Sequence, residues 1–432
     1  MPFPLADPPD IARELAALRA EVAALRESWQ SAPLDDARAE QVRALVREVL
    51  ADASTRASFA SGAPDQPTVG YDHGGLVASP DGAWVVRANV LVQTRFVAAS
   101  AYGLADPAVV EQTRWGFETR RLNLGLSGTL GRPDITWLAL LSQQSQTDRF
   151  ITTADTLKPL YAWIRKDLGH GLSTTVGLQN VPWDLESDFF GSSRLTTGDY
   201  SIFNYRFGAG KQPGVTVRHE GADLRVTVGG FTQVSSRTAN WQDPQQLSYA
   251  VAGRAELKWG AEWAQLEVES SRPGDVPGLV AGLAVCWSGP RGINPQPPSA
   301  PEATPAGAGF TADVRAVLGG ATLIGQFALM RDAVGATELG WSPGANAQAS
   351  AFVSPAVEAF AEACWASGSD VPWIAQAGVN LHLDPRVLKL TCKVIVPFGP
   401  GDVNGIRAIA GGLGIAQADN DASFVAQLQV NY

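Results

Sequence analysis

Nowhere in the 432 residues does an apolar run reach the ~20 residues that a membrane-spanning helix needs. With mean hydropathy at -0.02, any crossing of a bilayer must be made by strands. Charge is scarce as well. Only 18% of residues are Asp, Glu, Lys or Arg, against roughly 25% in soluble globular domains, which fits a chain with a lipid-facing belt. The net charge of -10 argues against a nucleic-acid partner, because phosphate neutralisation needs clustered Lys and Arg. Three cysteines, Cys286, Cys364 and Cys392, are too few and too scattered for a disulfide framework, and none belongs to a Cys-x-x-Cys pair.

Catalytic signatures are missing too. The four histidines, His73, His170, His219 and His382, have no metal-type spacing, and no Gly-x-Ser-x-Gly elbow accompanies them. The fragment FGAGKQ (Phe207 to Gln212) fails as a phosphate loop, since Tyr205 stands where the first Gly belongs and Gln212 replaces the Ser or Thr that would bind magnesium. The chain is therefore expected not to be an enzyme, with no cofactor and no metal. Met1 to Asp10 also lacks the basic segment and apolar stretch of a secretory signal. Either the signal has been removed from this sequence, or the start lies elsewhere, or the chain is not exported.

What is present is strict alternation. From Phe424 to Tyr432, Phe424, Ala426, Leu428, Val430 and Tyr432 point one way and Val425, Gln427, Gln429 and Asn431 the other. Trp84, Val86, Ala88, Val90, Val92, Thr94 and Phe96 oppose Val85, Arg87, Asn89, Leu91, Gln93 and Arg95, and Leu388, Leu390, Cys392, Val394 and Val396 oppose Lys389, Thr391, Lys393 and Ile395. Similar patterns recur at Leu122 to Ser127, Ser173 to Asn180 and Leu224 to Phe231. So many half-apolar strands need a covering layer, and no helical periodicity occurs after residue 70. Either a second sheet or lipid must cover them.

The chain reads as three parts. Over residues 1–33, Ile11, Leu15, Leu18, Val22, Leu25 and Trp29 alternate spacings of four and three, the seam of a coiled coil, with Glu14 and Glu21 placed to meet Arg19 and Arg26 of a neighbouring chain. The alternative is an amphipathic helix packed on its own domain. Residues 34–70 hold a second helix, from about Asp35 to Ala57, and the linker Ser61 to Thr68. Residues 71–432 parse as about sixteen antiparallel strands, giving an all-β transmembrane barrel behind an α-helical segment. Short turns at Gly131 to Asp134, Asp167 to Gly171 and Glu220 to Asp223 contrast with the long link Val181 to Gln212, the asymmetry expected of outer-membrane barrels. This parse treats Gly405 to Ala416 as loop and puts Pro290 to Pro305 on the short-turn rim.

The run Trp115 to Leu130 (WGFETRRLNLGLSGTL) and the run Leu160 to Trp183 (LYAWIRKDLGHGLSTTVGLQNVPW) resemble the outer-membrane porins of the phosphate-selective porin O and P family. Members have an Arg-rich early strand ending in Gly-x-Leu, then an apolar strand and a glycine-containing strand ending near Pro. The likeness spans about residues 70 to 432. The ending FVAQLQVNY is similar to the family's last strand, which the barrel-assembly machinery reads, and VREVLADASTRASF (Val46 to Phe59) is similar to leaders that precede some members' barrels. The resemblance implies a homotrimer of water-filled barrels in the outer membrane, with periplasmic N-terminal helices, passing small hydrophilic solutes passively. The family's phosphate preference does not carry over, because no loop motif matches. The competing function is a structural outer-membrane protein tethering the membrane to periplasmic partners.

With apolar faces turned to lipid, Arg87, Arg95, Arg121, Arg225, Lys389 and Lys393 face the lumen and as a set favour anions; individually each is also what a hydrated wall residue paired with an acid looks like. The link Val181 to Gln212 is the candidate constriction loop, carrying Asp184, Glu186, Asp188, Arg194 and Asp199, with Trp183, Phe189, Phe190, Tyr200, Phe203 and Tyr205 to pack it. A surface loop or trimer contact is the alternative. Trp84, Trp115, Trp137, Trp259, Trp263, Trp341, Trp373 and Tyr432 belong either to interfacial girdles or to interior packing.

Overall fold

The computed structural model of the chain describes residues 68–71, 74–80, 83–101, 112–144, 157–188, 191–232, 249–267, 269–289, 307–334, 338–367, 373–384, 387–398 and 422–431. The chain divides into two units, Met1–Gly70 and Tyr71–Tyr432. The coiled-coil positions Ile11, Leu15, Leu18, Val22, Leu25 and Trp29, and the helix expected over residues 35–57, lie outside the described residues.

The second unit is built on sixteen long strands. These are β1 (Val85–Ala101), β2 (Gln112–Thr129), β3 (Ile135–Gln144), β4 (Lys158–Gly169), β5 (Leu172–Asn180), β6 (Lys211–Glu220), β7 (Leu224–Phe231) and β8 (Ala250–Gly260). They continue as β9 (Gly278–Ser288), β10 (Gly307–Val317), β11 (Ala321–Val334), β12 (Glu338–Ser354), β13 (Val357–Ala366), β14 (Trp373–Asp384), β15 (Leu388–Phe398) and β16 (Ser423–Asn431). Each pairs antiparallel with its sequence neighbours, and β16 returns to β1 with Gln427 opposite Arg95 and Asn431 opposite Leu91. A short strand, Gly75–Ala78, pairs with Val85 to Ala88 and continues the line of β16 along β1. Closure leaves no long strand with an open edge, the condition for placing a sheet in hydrocarbon.

The distribution of side chains is the reverse of a soluble protein's. Leu283, Val285 and Phe117 are 54%, 57% and 78% exposed, while Arg95, Arg121 and Glu358 are 1%, 1% and 0% exposed. Alternation explains it. In β16, Phe424 and Leu428 face out and Val425, Gln427 and Gln429 face in; in β15, Val394 faces out and Lys389, Thr391 and Lys393 face in. Trp84, Trp115, Trp259, Trp341 and Trp373 are exposed on the outer surface, and Trp137 sits on the outward face of β3. Trp263 instead is buried inside the barrel. Tyr432 lies outside the described residues.

Two features differ from the sequence reading. Helices do occur after residue 70: α1 (Leu185–Asp188), α2 (Gly191–Arg194), α3 (Ile202–Phe207) and α4 (Trp263–Leu266). At four to six residues they are too short to print a period and depend on tertiary contacts. The sequence places Pro290 to Pro305 on the short-turn rim; Ser288 and Gly307, which flank it, stand instead at the rim of the 181–210 connection. The reason is the connection 261–277, which is long yet leaves the short-turn rim, so length does not mark the rim there.

Candidate functional site

The lumen is where the polar faces converge, and the 181–210 connection runs into it from the end of β5. Irregular backbone at membrane depth is tolerable only where protein or water satisfies its polar groups. Here wall side chains supply the donors. Lys389 Nζ donates to Leu195 O at 2.7 Å, Asn380 Nδ2 to Thr196 O at 2.9 Å, Gln427 Nε2 to Gly198 O at 2.9 Å and Gln429 Nε2 to Ser193 O at 2.7 Å. On the other side Thr311 Oγ1 donates to Trp183 O. The connection thus touches β1 and β2 as well as strands from β10 to β16.

Apolar packing fixes its lower turn. Phe203 and Phe207 on α3 are fully buried against Ala328 and Ala366. Gly344 on β12 makes room for them, since a Cβ there would lie 2.1 Å from the Phe207 ring. Ser201 caps α3 by accepting from Asn204 N at 3.1 Å. Trp183 Nε1 donates to Phe207 O at 2.7 Å.

Asp199 is the charged anchor. Arg120 approaches it with Nε at 2.7 Å from Oδ2 and Nη2 at 3.2 Å from Oδ1, Arg121 Nη2 lies 2.5 Å from Oδ1, and Arg95 Nη1 is 3.4 Å from Oδ2. Tyr205 Oη accepts from Arg120 Nη2 at 2.8 Å and donates to Asp199 Oδ1 at 3.3 Å. Burial pushes the Asp199 carboxyl up, but the charges of Arg120, Arg121 and Arg95 outweigh it and hold the group well below the usual carboxylate range. Arg95 is further held by Glu118. The sequence reading missed Arg120 because a bulge opposite Gln93 and Thr94 brings both Arg120 and Arg121 to the inner face.

A second acidic contact lies across the lumen. Glu186 accepts from Ser201 N at 2.9 Å, Gln326 Nε2 at 3.0 Å and Asn346 Nδ2 at 3.3 Å, and Asn346 Nδ2 also donates to Glu362 at 3.1 Å. Burial, with Glu362 nearby, drives the Glu186 carboxyl well above its ordinary range.

The connection 261–277 enters from the opposite rim and meets the first. Glu269 accepts from Thr196 N and, at 2.9 Å, from Gln348 Nε2; Thr196 Oγ1 and Ser270 Oγ are 3.1 Å apart. Burial pushes the Glu269 carboxyl up to about 7 despite those donors and the charge of Lys389. Ser270 Oγ reaches Glu358 at 3.0 Å and Ser271 N reaches Thr322 Oγ1 at 2.9 Å. Trp263 lies under Arg225, whose Cζ is 4.1 Å from the ring centroid, and Arg225 Nη2 is 2.7 Å from Glu267. Two large apolar residues, Trp263 and Leu266, spaced three apart in this connection are the available sequence signal.

The expected lumen cations all stand on the inner face, but loops and acids cover most of them. Arg95, Arg121, Arg225, Lys389 and Lys393 are at most 9% exposed, and Lys393 Nζ donates to Gln376 Oε1 at 2.9 Å. Arg87 is exposed near the strand end. Of the loop residues, Asp184 accepts from Asn204 Nδ2 at 2.8 Å, Arg194 is exposed and reaches Glu267 O at 3.5 Å, and the Asp188 side chain lies outside the described residues. The wall from β4 to β7 is the exception. Tyr161, Trp163, Arg165 and Arg218 remain half-buried there, around a cavity of 170 Å³. Among the described residues no group of three His, Cys, Asp or Glu is placed to hold a metal. His170 sits exposed in a turn with φ 55°, and His382 Nε2 is 3.1 Å from Glu358.

Comparison with solved structures gives the same architecture. The OmpF of Salmonella typhi, solved with daunomycin, superposes with TM-score 0.53 at 11% identity, covering 84% of this chain and 100% of that one. An anion-selective porin from Comamonas acidovorans gives TM-score 0.51 at 13% identity, covering 81% and 100%. At such identities the likeness is one of fold. No protein-family model matches the chain, and no curated protein matches it in sequence.

Proposed function

We propose that this chain is an outer-membrane porin for passive diffusion of small hydrophilic solutes or ions. The observation that carries the reading is the inverted surface: a closed sixteen-stranded barrel with aliphatic side chains outside and arginines, amides and carboxylates within. Barrels of this strand number are too wide for their own side chains to fill. The 181–210 connection is the constriction, with Asp199 as its anchor and Asp184, Glu186 and Arg194 in its body. Among the described residues the β4 to β7 sector keeps half-buried inward side chains around a cavity, and solutes pass off-centre along that wall.

Anion preference is the finer reading. Arg165 and Arg218 face the open sector, whereas Arg95, Arg121, Arg225, Lys389 and Lys393 act on it at longer range through partly cancelled charge. Self-association as a homotrimer fits the middle of the outer face of β12 to β14, where Ala347 pairs with Ala363 and Ala361 with Ala377 in a band of alanines, with Trp341 and Trp373 at the strand ends. The resemblance to the porin O and P family supports the trimer, periplasmic N-terminal helices and recognition of the last strand by the barrel-assembly machinery.

Planar-bilayer recording of the purified protein tests the reading. Stepwise insertion of ohmic channels is expected, with a reversal potential in a KCl gradient on the anion side. A cation-side potential would overturn only the preference. Membranes that stay silent would favour the competing role, a tether with little conductance, for which the observation is that two connections from opposite rims meet inside the barrel.

A further inference from the structure

The open sector is more than bare wall. Tyr161, Trp163 and Arg165 follow one another on the inward face of β4, spaced about 7 Å apart along the strand. Beside Trp163 the next strand offers no side chain, since Trp163 is opposite Gly177; Gly177 is in turn opposite Gly214, which the Phe231 ring covers. That gap is built in. Gly177 has φ +127°, and a Cβ there would lie 2.2 Å from Ala162 O, so no other residue fits without moving the strand.

Polar atoms around the hollow are mostly committed. Tyr161 Oη is 2.9 Å from Asn180 Oδ1, and Gln179 Nε2 reaches Gly214 O at 3.0 Å. Arg218 Nη2 is 2.6 Å from Glu220. Arg165 differs: among the described residues it has no hydrogen-bonded or ion-paired partner. Its acidic neighbours are Asp167, Glu220 and Glu267, and the last two are engaged by Arg218 and Arg225. The cavity lining holds two guanidiniums, two large aromatic rings and no carboxylate.

The geometry points to a binding site for a small organic anion with one flat ring, an aryl carboxylate, stacked in the hollow beside Trp163 with its carboxylate on Arg165. The planar guanidinium fork matches a carboxylate in two parallel bonds, and the ring replaces water on the indole. A cavity of 170 Å³ is smaller than the ~300–1,000 Å³ of sites for drug-sized molecules, which limits the ligand to a single ring. The inference deepens the porin reading and rests on it only for access to this sector.

Benzoate added to single channels in KCl tests it. Benzoate is expected to interrupt the current in discrete closures, and acetate, benzyl alcohol and benzylammonium at the same concentration are not. Arg165→Gln is expected to raise the half-blocking concentration about tenfold and Trp163→Leu about fivefold, with Trp163→Phe close to the parent; a far-ultraviolet circular dichroism spectrum matching the parent's shows that each barrel is intact. Equal block by benzoate and acetate, block by the neutral or cationic ring, or block unaltered in Arg165→Gln would overturn the site. Line broadening of fluorobenzoate in fluorine NMR of the detergent-solubilised protein separates the two readings. Broadening lost in Arg165→Gln supports the site even in a protein that passes no current, and no broadening in a conducting one removes the site and leaves the porin.

Discussion

Arg120 grips Asp199 with two nearly parallel bonds, Nε to Oδ2 at 2.7 Å and Nη2 to Oδ1 at 3.2 Å, so a bulged wall residue holds the middle of a connection that entered from the far end of β5. Asp199→Asn removes the shared anion and leaves Arg95, Arg120 and Arg121 facing one another. Breaking a buried pair on one side costs about 3–5 kcal/mol. The expected result is a lower midpoint in urea unfolding and new protease cleavage within residues 181–210. Because the folded carboxyl lies below its unfolded value, its contribution is present above the unfolded pKa near ~3.9 and is lost only as pH falls through the depressed folded value. Cleavage resistance is therefore expected to be flat from neutral pH down to about 4 in the parent protein; a steep loss near 6 would contradict the anchor.

The barrel was legible because a period of two is unforgiving: each strand that lies between lipid and water must alternate, and Phe424 to Asn431 or Leu388 to Val396 carry that period unbroken. A bulge breaks the period for one residue, which hid Arg120 beside Arg121. Alternation also assigns a face without saying what covers it. Arg225 and Lys389 could be placed inside from the sequence, but Trp263 and the carbonyl of Leu195, which cover them, come from connections remote in the chain. The connection 261–277 was illegible for the same reason, since its contacts with Thr322, Gln348 and Glu358 depend on three-dimensional closure.

Glu269 makes the junction of the two connections sensitive to protons. Its folded pKa of about 7 lies above the unfolded value, so its contribution to docking is complete below about 4.3 and is lost as pH rises through about 7. Thr196 and Gln348 donate to it, and Lys389, Arg315 and Glu362 are charged groups around it. Amide exchange across 261–277, corrected for intrinsic base catalysis, is expected to accelerate between about pH 4.5 and 7 by more than in the strands. Glu269→Gln, which keeps an acceptor for Thr196 N without ionising, is expected to flatten that difference. A profile identical in both proteins would remove the linkage.

Gly344→Ala tests how tightly α3 is seated. The new Cβ meets the edge of the Phe207 ring at 2.1 Å, and Phe207 is fully buried in a cluster with Phe203, Ala328 and Ala366. Overpacking of this kind costs about 1–3 kcal/mol. Since β12 is held by ladders on both sides, the helix is expected to yield before the strand does. Protease sensitivity within 181–210 is then expected to rise while the unfolding midpoint of the barrel stays near the parent value.

The orientation of the whole barrel is tested by one leucine. Leu283 lies midway along β9, opposite Ala255 on one side and Ala312 on the other, and 54% of it is exposed. On a soluble protein, Leu283→Arg at such a position changes stability within about ±0.5 kcal/mol. Facing the middle of a bilayer, the same change costs about 2–4 kcal/mol. Refolding into lipid vesicles across a urea titration distinguishes the two, and the larger penalty is expected, with Leu279→Arg, nearer the strand end, costing less. The contrast has its counterpart inside: Ala284, the next residue, points into the lumen, and Ala284→Leu would press on Arg254 and Thr311 in its neighbours rather than on lipid. Adjacent residues of one strand thus obey opposite rules, and a depth-dependent cost at Leu279 and Leu283 together is what only a lipid-facing surface can produce.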